Sequence, residues 1–290
     1  VTAPDRQLDR VAALLDLNRA EEAMTELSRL AGPEATQRRA FQLRAAALTD
    51  LQRWSAVADT ARQGLGETGP DAELLGRLGL ALRHQGDHAG AERALLDGLA
   101  REPQQVWLLC QYADLCTMVG QTGKAAQLVD RAAALAPEHP LVWVSRFQLA
   151  YAAGDDRTAQ RIARDYLGRW PDHPAALFLH GAIAGERGQV GLAQQSFGQA
   201  VAQDPTDADY ADAAWQSRVY AHPLLLPLRP LYRLGVLRTW LIAVGTIVAL
   251  NVAGLEPVAA LVGLLWLGYC VWSWVAPTLV RRLVLGRWRS

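Results

Sequence analysis

From residue 86 to residue 120 the chain reads GDHAGAERALLDGLAREPQQVWLLCQYADLCTMVG, running from one turn glycine to the next. Its landmarks are Gly86, Ala91, Pro103 and Gly120, and all of them recur. Prolines stand at Pro103, Pro137, Pro171 and Pro205, each 34 residues from the next. The same step links Gly86, Gly120, Gly154 and Gly188, and Ala91, Ala125, Ala159 and Ala193. Three residue types in three phases over four copies mark an internal repeat. Each type has a task in a pair of helices. Gly ends the first helix in a left-handed conformation. Ala lets the second helix lie close against the first. Pro cannot continue the second helix and opens the next one well.

Two weaker copies precede these. The copy from about Arg38 has Ala45 and Val57 in the small and apolar columns, with Trp54 after the turn. The first has Val11, Ala23 and Leu30 in phase, and Asn18 where the Gly would stand; Asn also tolerates the left-handed state. The reading is all-α: about six helix pairs over residues 1–205. A helix follows at 206–220, carrying Tyr210, Ala214 and Trp215, and caps the last repeat.

This pattern resembles the tetratricopeptide repeat (TPR) family. The residues that carry the resemblance are Gly79, Ala113 and Gly181 in first helices, the four alanines, then Gly98, Ala132 and Ala200, and the four prolines. One copy departs from it, because Phe147 and Tyr166 fill columns where small residues are usual. Wider helix spacing is expected there. The resemblance implies a right-handed superhelix whose concave face binds a peptide or helix. On this chain it assigns that face to Leu80 and Arg83, then to Trp107, Cys110, Asp114 and Met118. The next copies supply Leu141, Val144, Gln148 and Tyr151, and then Phe178. The Lys, Asn and Arg clamp with which some members hold a C-terminal carboxylate is lacking. A groove with an apolar, aromatic middle and acidic rims is expected, suited to an amphipathic or apolar helix.

Charge divides the chain. Residues 221–290 hold seven Arg and one acid, Glu256, for a net +6; residues 1–220 are then −6, since the whole is neutral. An acidic repeat portion is a poor match for nucleic acid. With 51% apolar residues the chain is too apolar for disorder. Cys110, Cys116 and Cys270 have neither zinc-site nor disulfide-framework spacing, and read as free thiols. The first residues, Val-Thr-Ala-Pro-Asp-Arg-Gln, lack the basic and apolar regions of a signal peptide.

After a Pro-rich link at 221–235, two charge-free stretches follow within 236–290: Thr239–Leu255 and Pro257–Val280. As helices they span roughly 26 and 36 Å, against a hydrocarbon core of about 30 Å. The second is long enough to cross and the first is marginal. A two-helix transmembrane hairpin is the expectation. A shallow re-entrant hairpin and an apolar hairpin buried in a soluble domain are the alternatives. Arg238, Trp240, Trp272, Trp274, Arg281 and Arg282 are the expected interfacial anchors. Arginines flank both outer ends while the turn has none, which places both ends and the repeats in the cytoplasm. Ala249 with Ala253, and Ala259 with Gly263, offer small faces for close packing near the turn.

Other patterns read as loops. Gly64-Leu65-Gly66-Glu67-Thr68-Gly69 has dinucleotide-site spelling but follows a helix rather than a strand. His84 and His88 straddle a turn, and His139 and His173 each precede Pro. No catalytic constellation, metal set or cofactor motif is recognisable. The expected function is therefore non-enzymatic, with no cofactor and no small-molecule substrate. A membrane-anchored adaptor would hold a protein partner at the cytoplasmic face, as an assembly factor or subunit of a membrane complex. The alternative is a transport or enzyme complex subunit whose hairpin forms part of the working membrane core. Abundant Ala, and Arg in place of Lys, are compatible with a GC-rich bacterial source.

Overall fold

Six tight corners organise the repeats. The residues with positive φ that follow first helices are Asn18, Gln52, Gly86, Gly120, Gly154 and Gly188, one every 34 residues. At each corner the next amide reaches back to a carbonyl five residues earlier. Arg53 N donates to Leu48 O at 2.9 Å, Asp87 N to Leu82 O at 2.9 Å, and Gln189 N to Ala184 O at 2.8 Å. This left-handed C-cap satisfies carbonyls that a helix end otherwise leaves bare.

The computed structural model describes residues 3–30, 32, 37–221, 224 and 236–286. The repeat helices are α1 (Ala3–Asp16), α2 (Ala20–Ser28), α3 (Arg38–Asp50), α4 (Trp54–Thr68), α5 (Ala72–His84) and α6 (His88–Arg101). Then come α7 (Val106–Met118), α8 (Thr122–Leu135), α9 (Pro140–Ala152), α10 (Asp156–Arg169), α11 (Pro174–Glu186) and α12 (Val190–Gln203). Three more follow: α13 (Ala208–Ala221), α14 (Val236–Val252) and α15 (Glu256–Gly286). The described residues contain no strand. The fold is an all-α, TPR-like solenoid of helix pairs with a helical hairpin after it. The Pro-rich link falls mostly outside the described residues.

One column shows why the period is needed. Ala23, Val57, Ala91, Ala125 and Ala159 are fully buried and Ala193 nearly so, one per second helix. Each sits where the paired helices come closest. Gly79 is the matching position on α5: a Cβ added there would lie 2.6 Å from Leu95 Cγ. Helix starts are also set locally. Asp71 accepts from Leu74 N and Asp87 from Gly90 N, both at 2.9 Å. His139 and His173 cap α9 and α11 through Nδ1, accepting from Leu141 N at 3.2 Å and Ala175 N at 3.3 Å. Each such cap contributes on the order of 1 kcal/mol.

The chain divides into two compact units, residues 1–168 and 169–290. The division follows the departing repeat. Phe147 and Tyr166 are both buried, and Tyr166 stacks on Trp143 at 5.6 Å. The two rings fill columns where the other pairs have small residues.

In the second unit, Phe178 of α11 packs against Phe197 of α12 (5.5 Å) and Tyr210 of α13 (5.2 Å). α14 and α15 lie side by side. Of the two, only α15 contains a segment, Glu256–Ala276, long and apolar enough to cross a membrane; α14 is 17 residues and too short by that measure. The small-residue seam also differs from expectation. Ala259 is buried, but Ala249 and Ala253 are exposed, and a Cβ on Gly263 would touch nothing. Ala243, Ile247 and Leu250 on α14, and Val262 and Trp266 on α15, are half-buried.

Gly79→Val tests the close approach of α5 and α6. It should destabilise the repeats by about 1–3 kcal/mol through overpacking, measured by thermal and denaturant unfolding. Gly123→Ala in α8, where added bulk meets open space, should cause no loss.

Candidate functional site

The residues assigned to the concave face lie at one phase of α5, α7 and α9, so the three helices present them side by side. Their environments differ. Leu80 (8% exposed) and Cys110 (1%) belong to the core beneath the face. Trp107, Leu141 and Val144 are half-buried, and Gln148 is exposed. Met118 (53%) and Tyr151 (50%) stand out into solvent. Trp107 needs glycine as its neighbour: a side chain at Gly76 would overlap the indole and Leu108. The Arg77 guanidinium lies over the indole, 5.4 Å from its centroid.

Among the assigned residues lies a polar cluster. Arg83 of α5 approaches Asp114 of α7, with Nη1 3.8 Å from Oδ2. Ser145 of α9 donates from Oγ to Asp114 Oδ1 at 2.8 Å. The Arg83 and Asp114 side chains are only 16% and 17% exposed. One residue from each of three successive first helices thus meets at a carboxylate. Burial pushes the Asp114 carboxyl from 3.8 up to about 6, although Arg83 and the Ser145 hydroxyl favour its charged form. Burial also holds the Cys110 thiol at about 11, so this cysteine is not a nucleophile at neutral pH.

Sequence reasoning missed three residues here. Arg77, Gln111 and Ser145 follow Gly76, Cys110 and Val144 by one position and recur at the same 34-residue step. The signal existed, since a helical face includes i+3 and i+4 neighbours together. Buried Arg77 Nε and Gln111 Oε1 lack hydrogen-bond partners. A second cluster was also missed. Lys124, the sole lysine, donates to Glu92 at 2.9 Å and lies 4.5 Å from the Tyr112 ring centroid. Tyr112 donates to the same Glu92 oxygen at 2.7 Å. The cluster clasps α6, α7 and α8, and its hydrogen bonds push the Lys124 ammonium above its ordinary range.

Phe178 belongs to the second unit and is held in its aromatic trio, between α12 and α13. The other motifs have structural occupations. Gly64 to Thr68 form the end of α4, and His84 stacks on Trp54 at 3.8 Å. The described residues hold no group of three His, Cys, Asp or Glu able to bind a metal. Cys110, Cys116 and Cys270 are free thiols.

On the hairpin, Arg238 is exposed, Trp240 is half exposed and Trp274 is 85% exposed. Trp272 is instead engaged within the protein: its Nε1 donates to Leu224 O at 3.1 Å. The side chains of Arg281 and Arg282 lie outside the described residues. Three polar side chains of these helices bond to their own helix backbone. Thr246 donates to Ile242 O, Asn251 to Ile247 O and Ser273 to Cys270 O.

No family model matches the chain. A TPR repeat-containing protein of Pseudomonas aeruginosa is 28% identical over 179 residues, covering 60% of this chain and 30% of the relative. The chain therefore spans less than a third of the length of that curated relative. A thermophilic TPR protein of Thermus thermophilus superposes with a TM-score of 0.56 at 16% identity, over 63% of this chain and 100% of its own. PilW, a widely conserved type IV pilus biogenesis factor, superposes with a TM-score of 0.54 at 18% identity, over 73% and 98%. At these identities the structural likenesses establish the fold, a TPR-type solenoid.

The Asp114 carboxyl supplies a pH test. Its pKa is raised on folding, so between about pH 4 and pH 6 the folded chain holds more protons than the unfolded one. Stability should fall as pH rises through that window, by on the order of 2–3 kcal/mol from this group. Asp114→Asn should flatten this part of the pH–stability curve, measured by denaturant unfolding. An unchanged slope would show that Asp114 is not its source.

Proposed function

We propose that this protein is a membrane-anchored, non-enzymatic adaptor. Its helical repeats hold a protein partner at the membrane surface, and its C-terminal hairpin enters the lipid. One observation carries the reading. The outward side chains of α14 and α15 are almost uninterrupted hydrocarbon. Leu241, Ile242, Val248, Leu261, Leu264, Leu265 and Leu267 are each more than half exposed. So long an apolar surface is costly in water, at roughly 25 cal/mol for each Å². A bilayer removes that cost. Arginines at both outer ends and none at the turn orient the repeats toward the cytoplasm. The partner-binding face is the α5–α7–α9 surface. Met118, Tyr151 and Gln148 reach outward there, above the braced Arg83–Asp114–Ser145 cluster, and suit a helix with an apolar stripe. A membrane protein or complex subunit is the favoured partner, since the hairpin can pack on other helices. Small-molecule and nucleic-acid ligands have no matching chemistry here.

The alternative, a transport or enzyme subunit with a working hairpin, is less well supported. Transport sites within a membrane are marked by ionisable groups. Here Thr246, Asn251 and Ser273 are occupied by their own helix backbones.

Two experiments test the reading. Alkaline carbonate should leave the whole chain in the membrane pellet, and a chain ending at Ala221 should be recovered in the supernatant. Release of the whole chain by carbonate would remove the anchor. Met118→Glu with Tyr151→Ala alters only exposed side chains. It should cost no more than about 1.5 kcal/mol, from the Tyr151 ring stacked on Phe147, while lowering in-membrane crosslinking of the α5–α9 face to its partner. Undiminished crosslinking would move the partner site elsewhere.

A further inference from the structure

We infer that the C-terminal end of α13 is seated in the lipid headgroup layer, so that the capping helix is docked on the membrane. This rests on the anchor reading above and adds where the repeats meet the lipid. The observation is a contact within the second unit. Val219 of α13 and Ala276 of α15 are buried against one another, with Trp215, Leu224, Tyr269 and Trp272 packed around them. Trp272 Nε1–H donates to Leu224 O, which pins the residue just beyond α13 to the same patch.

The position of this patch along α15 sets its depth. Glu256 opens α15 at the turn, and a carboxylate is stable only at or beyond the interface. Tyr269 is then roughly 20 Å and Ala276 roughly 30 Å along the helix from Glu256. With the turn at the far face of a core about 30 Å thick, Tyr269 to Ala276 occupy the last third of the core, up to the near boundary. Whatever packs on those residues is held at that boundary. Trp215 and Val219 hold α13 on α15, so the flank of α13 beside them, with exposed Gln216 and Arg218, is what faces the headgroup layer. Ala276 is what makes the contact possible, since a larger side chain there would push α13 away. Arg218, exposed one position from Val219, supplies a cation at phosphate level. The occupant of this surface is phospholipid.

The test uses the full chain in vesicles of phosphatidylcholine and phosphatidylglycerol, with a photoreactive benzophenone side chain at one site at a time. The sites are Gln216 on α13, Leu264 on α15 and Arg157 on α10, all exposed. The readout is the lipid adduct found by mass spectrometry. Adducts are expected at 216 and 264, with only background at 157. Adding Ala276→Trp should abolish the adduct at 216 and keep that at 264, because the contact breaks while the hairpin stays inserted. Lipid at 264 with none at 216 overturns the docking and leaves the anchor. Lipid at neither site overturns the anchor. An adduct at 216 that survives Ala276→Trp overturns the role given to the α13–α15 contact.

Discussion

The six left-handed corners are the constraint on which the repeat architecture depends. A helix that ends in the right-handed region carries its chain onward; a residue at positive φ turns it back within three residues. The turn lets each second helix fall against its first, with Ala, Gly or Val at the nearest point. Because the corners are 34 residues apart, first helices within a unit present the same phase side by side. The Arg83–Asp114–Ser145 cluster is a product of that alignment. No single helix contains it, and none of its members is near another in sequence.

Much of this was legible before any coordinates. The Gly, Ala and Pro columns gave the helix pairs. The turn before Trp54 was placed, but not the residue that makes it, because glutamine has no special liking for positive φ. Of the polar cluster, Arg83 and Asp114 were placed on one face, but Ser145 and the burial of the group were not. Burial is decided by three helices at once, and a sequence reading of α7 alone sees Cys110 and Met118 but not what covers Asp114. Leu80 and Cys110 were given to the face by phase, yet lie under it, since a face one residue wide ignores the lean of helical side chains. The contact of α13 with α15 follows no repeat and could not be read from period.

The hairpin and the repeats solve the same problem differently. The repeats bury their apolar columns against one another and turn charge outward. Among the described residues the hairpin buries fully only Ala259 and Ala276 and leaves a long apolar flank exposed. Its Thr246, Asn251 and Ser273 side chains are satisfied by their own helix backbone, the arrangement a low-dielectric solvent demands. On the proposed reading the repeats sit in water and the hairpin in lipid. The acidic charge of residues 1–220 and the basic charge of residues 221–290 agree with that division.

The native cysteines test this division without any substitution. Cys110 and Cys116 are buried in the repeats, while Cys270 on α15 is partly exposed, so only a lipid cover would hide it. Thiols react as thiolates, which need water to form. In sealed vesicles, a charged maleimide should leave Cys270 unmodified until detergent dissolves the membrane and unfolds the chain, as read by peptide mass mapping. Modification of Cys270 in intact vesicles at the rate of a free thiol would contradict the account.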